Sequence, residues 1–165
     1  MIINESGMSF GPFDEEKVFY IENSEIYNSI KDGVKTVEFV YARGKDQLLF
    51  VEAKMSSPAP GEGNTTQKFD EYIEDITEKF IHSFNLWLTM HLGRRIGDAP
   101  RDTIDCDPKT ESFTFALVIN GHAEAWLPPI RAALERRMIA ERKIWNHEVI
   151  VLNDKQAETR GLIVR

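Results

Sequence analysis

Three residues could do chemistry together if the fold brings them into contact: Glu38, Glu52 and Lys54. Two carboxylates with a lysine beside them suit a Mg²⁺ or Mn²⁺ ion. Hard oxygen ligands hold the ion, and the ammonium is left to steady an anion or a water. The surrounding residues 34–54 read VKTVEFVYARGKDQLLFVEAK. Residues 36–43 alternate around Glu38, and residues 48–54 form an apolar run ending in Glu-Ala-Lys, so two strands are expected. Gly44, Lys45 and Asp46 between them are turn formers. Side chains two apart on a strand share a face, which puts Glu52 with Lys54 and sets Val51 with Ala53 on the other side. A carboxylate and an ammonium ending an apolar strand are costly to desolvate unless they are paired or engaged with an ion. If the two strands pair as a hairpin, Glu38 approaches Glu52.

An acid on one strand, a turn, Glu-x-Lys on the next strand and then a helix resembles the PD-(D/E)xK nuclease superfamily. Glu38 stands where that family usually carries Asp, and Glu52-Ala53-Lys54 matches the (D/E)xK element. The resemblance covers roughly residues 20–120 and implies a restriction-endonuclease-like α/β fold, a mixed sheet with helices on both faces. It implies a metal-dependent nuclease that hydrolyses phosphodiester bonds, DNA being the first substrate to test. Glu38, Glu52 and the main-chain carbonyl of Ala53 would bind the ion, and Lys54 would position the attacking water. Family members often add an acid from a preceding helix, for which Glu22 and Glu25 are the candidates. Some carry a glutamine on the helix after the motif. Gln67 occupies that place, though Tyr72 follows one position later than the family spacing.

The rest of the chain supplies the elements that must hold these residues. Residues 1–14 contain Gly7, Gly11 and Pro12 and read as an irregular arm. Residues 17–22 suggest a short strand, and residues 25–31 a helix capped by Ser24 and stopped at Gly33. Residues 55–64, with two prolines and two glycines, form a loop that is either a plain connector or a wall of a substrate cleft. Phe69, Tyr72, Ile73, Ile76, Phe80, Phe84, Trp87, Leu88 and His91 recur at steps of three and four. They mark a long amphipathic helix over 67–92, stopped at Gly93. Asn64 and Gln67 have the spacing of a capping box, which competes with a catalytic role for Gln67. Residues 93–110 lack periodicity, and their arginines could reach phosphates or simply be solvated. SFTFALVIN at 112–120 reads as a central buried strand. A helix running from Pro129 to about Ile144 is the most basic element, and EVIVLN at 148–153 is another strand. The apolar residues Leu162, Ile163 and Val164 are expected to dock on the sheet or on a second subunit.

With 165 residues, residues 1–165 form one expected domain. The net charge of −7 argues against a high-affinity non-specific nucleic-acid binder, though it does not exclude a nuclease. No apolar run is long enough for a bilayer, no signal-peptide pattern opens the sequence, and a single cysteine fits a reducing, cytoplasmic setting. His82, His91, His122 and His147 are scattered without ligand spacing. Cys106 between Asp105 and Asp107 makes a poor thiolate. Two rival readings need no catalysis. One is an inactive nuclease-fold protein acting as a protein-interaction module. The other is a structural subunit that forms a homodimer through its carboxyl-terminal strand.

Overall fold

The computed structural model describes residues 1–60 and 64–164. A short hairpin comes first, β1 (Ile3–Glu5) with β2 (Met8–Phe10). This replaces the expected irregular arm. Ser6 and Gly7 both take positive φ, the backbone a two-residue hairpin turn requires, and Ile3, Met8 and Phe10 turn inward to be buried. The expected strand at 17–22 shrinks to β3 (Val18–Phe19), flanked by two single turns of tighter helix. Then comes α1 (Glu25–Ile30), with the Ser24 hydroxyl accepting from the Tyr27 amide as its cap. The motif strands follow as β4 (Phe39–Arg43) and β5 (Gln47–Lys54).

The long helix is α2 (Asn64–His91), and Gly93 ends it at positive φ. The Asn64 side chain, expected in a capping box, lies outside the described residues. Phe69, Ile73, Ile76, Phe80, Phe84 and Trp87 are all buried along one face. Each contributes about 1.5–3 kcal/mol of burial, well above the tenths that helix propensity supplies, so packing holds this helix. The 93–110 connector is pinned rather than loose. It contains α3 (Arg101–Ile104), the Trp87 indole donates to the Thr103 carbonyl at 2.6 Å, and Asp98 accepts from the Glu25 amide at the start of α1.

The strand β6 (Ser112–Ile119) lies where the apolar run placed it. The basic helix proves to be two, α4 (Leu127–Arg137) and α5 (Ile139–Trp145). They break at Met138, whose backbone leaves helical geometry (φ −101°, ψ 22°) while its side chain becomes fully buried. After β7 (Glu148–Asn153), the polar tail is not featureless: α6 (Asp154–Thr159) starts from a capping box between Asn153 and Gln156. Leu162 and Ile163 are buried within this chain, and Ile163 bridges to Phe10.

The main sheet has the order β3-β4-β5-β6-β7. Its first three strands are antiparallel and its last three parallel. The three-residue turn after β4 allows only a hairpin, whereas α2 supplies the long crossover that a parallel β5–β6 pair needs. Leu48, Phe50, Phe115, Leu117 and Val151 face the helices α2 and α4. Leu49, Val51, Ala116 and Ile150 face the opposite way. That second face is covered by the β1–β2 hairpin, α6 and the carboxyl-terminal residues. Helices therefore dominate one face only, and the expectation of helices on both is met on the second by α6 alone.

Candidate active site

The β4–β5 hairpin forms with Phe39 opposite Val51. Glu38 lies just before β4, outside the ladder, and its amide donates to the Val51 carbonyl at 3.1 Å. This sets Glu38 beside Glu52 at the open end of the hairpin. Carbonyls alternate in direction along a strand. The Val51 carbonyl points toward β4, and the Lys54 carbonyl points toward β6, where it accepts from the Asn120 amide. The Ala53 carbonyl therefore points to the β4 side, past the last rung of the ladder.

Glu52 shares the α2-facing side of β5 with Leu48 and Phe50 and is wholly buried. Two ammonium groups reach its Oε1: Lys79 Nζ from α2 at 2.8 Å and Lys54 Nζ at 3.0 Å. Its Oε2 has no hydrogen-bond partner among the described residues. Burial pushes the Glu52 carboxyl upward, and the two lysines pull against that shift. For Lys79 burial works downward, but Glu52 outweighs it and the ammonium ends above its ordinary value. Lys54 keeps about a quarter of its side chain exposed and lies 3.8 Å from Asp75 Oδ2. Asp75 in turn pairs with Lys35 at 3.0 Å.

Glu38 is almost fully buried, and its Oε2 likewise has no hydrogen-bond partner among the described residues. Burial, a carboxyl–carboxyl contact with Glu22 and the charge of Glu52 push it up to about 9. Glu5, Glu22 and Glu38 can each place an oxygen within 4.8 Å of the other two. The Tyr20 hydroxyl donates to Glu5, and burial together with that carboxylate raises its pKa. Glu38 is thus the hinge of two half-sites. Glu5 and Glu22 lie on one side of it, and the ion-paired carboxylate of Glu52 lies on the other.

Of the residues singled out from the sequence, Glu38, Glu52, Ala53 and Lys54 come together, and Glu22 joins them. Glu25 does not: it lines a cavity of about 610 Å³ with Arg94, Arg95 and Asp98. Gln67 is exposed and donates to Glu71 one turn along α2. It lies twelve residues before Lys79, about 18 Å along the helix axis. Glu5, Tyr20 and Lys79 escaped sequence reasoning. Lys79 carried a usable signal, since it falls between Ile76 and Phe80 on the buried side of α2, where a lone cation needs a partner. Cys106 bears out its dismissal as a nucleophile, because burial and then Glu111 push its thiol up to about 12.

Comparison with protein-family models, curated proteins and solved structures gives no significant match. No helix among the described residues is long and apolar enough to cross a membrane.

Proposed function

We propose that this protein is a divalent-metal-dependent phosphodiester hydrolase with a restriction-endonuclease-like core, acting on nucleic acid. One observation carries the reading. Two buried carboxylates, Glu38 and Glu52, lie close enough at the end of a hairpin for the charge of one to shift the other, and each has an oxygen without a hydrogen-bond partner among the described residues. A buried polar atom left without a partner costs about 1–3 kcal/mol, and more when charged, unless something else supplies the contact. Mg²⁺ or Mn²⁺ is the chemistry that fits an all-oxygen donor set of this kind. Glu38, Glu52 and the Ala53 carbonyl would hold the ion, with Glu22 and Glu5 close enough to add charge. Once bound, such an ion polarises a phosphoryl oxygen and acidifies a water.

The protein groups have separable tasks. Lys79 fixes the Glu52 carboxylate from the α2 side and leaves Oε2 turned away from that contact. Lys54, partly exposed, can exchange Glu52 for an incoming phosphate and stabilise charge that develops there. Glu38 must lose its proton before it can act as a ligand. Glu in place of the Asp usual in the resembling family lengthens this ligand arm by one methylene.

A second reading has its own support. Both lysines are already ion-paired to Glu52, and the chain carries a net charge of −7. An inactive nuclease-fold protein that binds another protein would keep such a pair as structure. Incubation of plasmid, single-stranded DNA and RNA with Mg²⁺ and with Mn²⁺ separates the two. The hydrolase reading expects metal-dependent cleavage that is lost in Glu52→Ala and Lys54→Ala proteins. No cleavage by the unaltered protein favours the interaction module, and cleavage that survives both substitutions points to a contaminant or to another site.

A further inference from the structure

A cavity of about 320 Å³ opens between the loop after β5 and the connection from β6 to α4. Pro58, Pro60, His122, Trp126 and Pro129 line it. Trp126 is 63% exposed, a large apolar surface for an indole to leave in water. Its ring meets His122 edge-on with centroids 5.4 Å apart. Burial lowers the His122 pKa, so that ring stays neutral at neutral pH. None of the described lining side chains carries a full charge under those conditions. The cavity lies at the low end of the size range for small-ligand sites. Flat, apolar, neutral walls beside an exposed indole suit a flat heterocycle and disfavour a phosphate or an acidic peptide.

Its position ties it to the carboxylates. β5 and β6 run parallel and finish together, Lys54 opposite Ile119, and ligand sites in such sheets lie beyond the carboxyl ends of parallel strands. Ser57, on the rim, is three residues past Lys54, so their Cα atoms are at most about 11 Å apart. The buried Tyr72 hydroxyl has Ser57 and Glu52 as polar neighbours, with no well-formed hydrogen bond among the described residues.

We infer that this cavity takes one unpaired nucleobase, stacked on the Trp126 indole, so that the protein selects single-stranded or frayed nucleic acid. The inference rests on the hydrolase reading. A base inside a duplex has both faces covered by its neighbours, whereas an unpaired base offers a face to an aromatic side chain.

The test is fluorescence anisotropy with a labelled oligothymidylate strand and with a blunt duplex, in Ca²⁺, with strand integrity checked on a gel. Trp126→Ala should weaken single-strand binding about tenfold and leave duplex binding unchanged. Trp126→Phe should retain most of the affinity. Because Trp126 is exposed, both variants should melt like the unaltered protein. Equal single-strand affinity in the unaltered and Trp126→Ala proteins overturns the inference. An equal loss on the duplex, or no binding of either nucleic acid by the unaltered protein, does so too. Failure of the hydrolase reading shows up elsewhere, as absent Mn²⁺-dependent cleavage while Trp126-dependent binding persists.

Discussion

Lys79 Nζ lies 2.8 Å from Oε1 of Glu52, across the packing interface between α2 and the last turn of side chains on β5. Glu52 has no exposed surface, and Lys79 retains only 15% of its side chain in solvent. The long helix is therefore more than a cover for the sheet, since it supplies the counter-charge that lets a carboxylate sit inside.

Removing that counter-charge should be costly. Lys79→Met leaves Glu52 with Lys54 as its remaining counter-charge and should lower stability, by less than the ~3–5 kcal/mol that a fully orphaned buried charge costs. Urea unfolding without metal measures it. The double variant Glu52→Gln with Lys79→Met should recover much of the loss, because no buried charge then remains. Additive losses from the two substitutions would show that the pair is not coupled.

Glu38 gives the metal-free protein an unusual pH response. Its carboxyl is raised from an ordinary 4.5 to about 9. Between those values the folded state binds more protons than the unfolded state, so stability falls as pH rises. Glu52 is shifted in the same direction and adds to the slope. Thermal unfolding across this window should show the decline, and Glu38→Gln, which cannot ionise, should flatten it. A flat profile in the unaltered protein would count against a protonated Glu38.

Metal binding should oppose that trend. An ion competes with the Glu38 proton, so apparent affinity for Mn²⁺ should rise by up to about tenfold per pH unit below the Glu38 pKa. Calorimetry in buffers of different ionisation enthalpy should detect a proton released on binding.

The motif itself was legible because strand alternation and the Glu-x-Lys spacing are local properties. From them came the hairpin, the shared face of Glu52 and Lys54, and the approach of Glu38. The apolar stripe of α2 and the buried runs of β6 and β7 were equally local. What stayed hidden depended on distant contacts. Glu5 reaches Glu22 and Glu38 only because the amino-terminal hairpin packs on the sheet, held by the bridge from Phe10 to Ile163. The break at Met138 reflects a side chain drawn into the core, which helix periodicity does not encode. The α6 cap was visible as Asn153-x-x-Gln156 but sat in a segment too short and polar to stand out.

The motif also suggested Gln67, whose side chain donates to Glu71 one turn along α2. Gln67→Ala should leave cleavage within about twofold, since its partner is the exposed Glu71. Lys54→Ala should lower kcat by about 10²–10³, the scale for losing one group that stabilises developing charge. Initial rates on a single-stranded substrate compare the two. A Gln67→Ala protein as impaired as Lys54→Ala would restore the glutamine to the site.

Asn153 ties the last strand to the aromatic cavity. Its Oδ1 accepts from the Gln156 amide at 2.9 Å, and its Nδ2 donates to the His122 carbonyl at 3.0 Å. Asn153→Ala should cost about 1–2 kcal/mol through the lost cap. It should also raise hydrogen exchange in the loop after β6. Exchange unchanged in that loop would mean that the His122 contact does not hold it.

The central claim is that Glu38 and Glu52 together grip a divalent cation, and Mn²⁺ titration by calorimetry at mildly alkaline pH tests it most directly. One ion should bind per chain, and binding should be lost in both Glu38→Gln and Glu52→Gln proteins that remain folded. Binding that is unaffected by either substitution, or no binding by the unaltered protein, would contradict it.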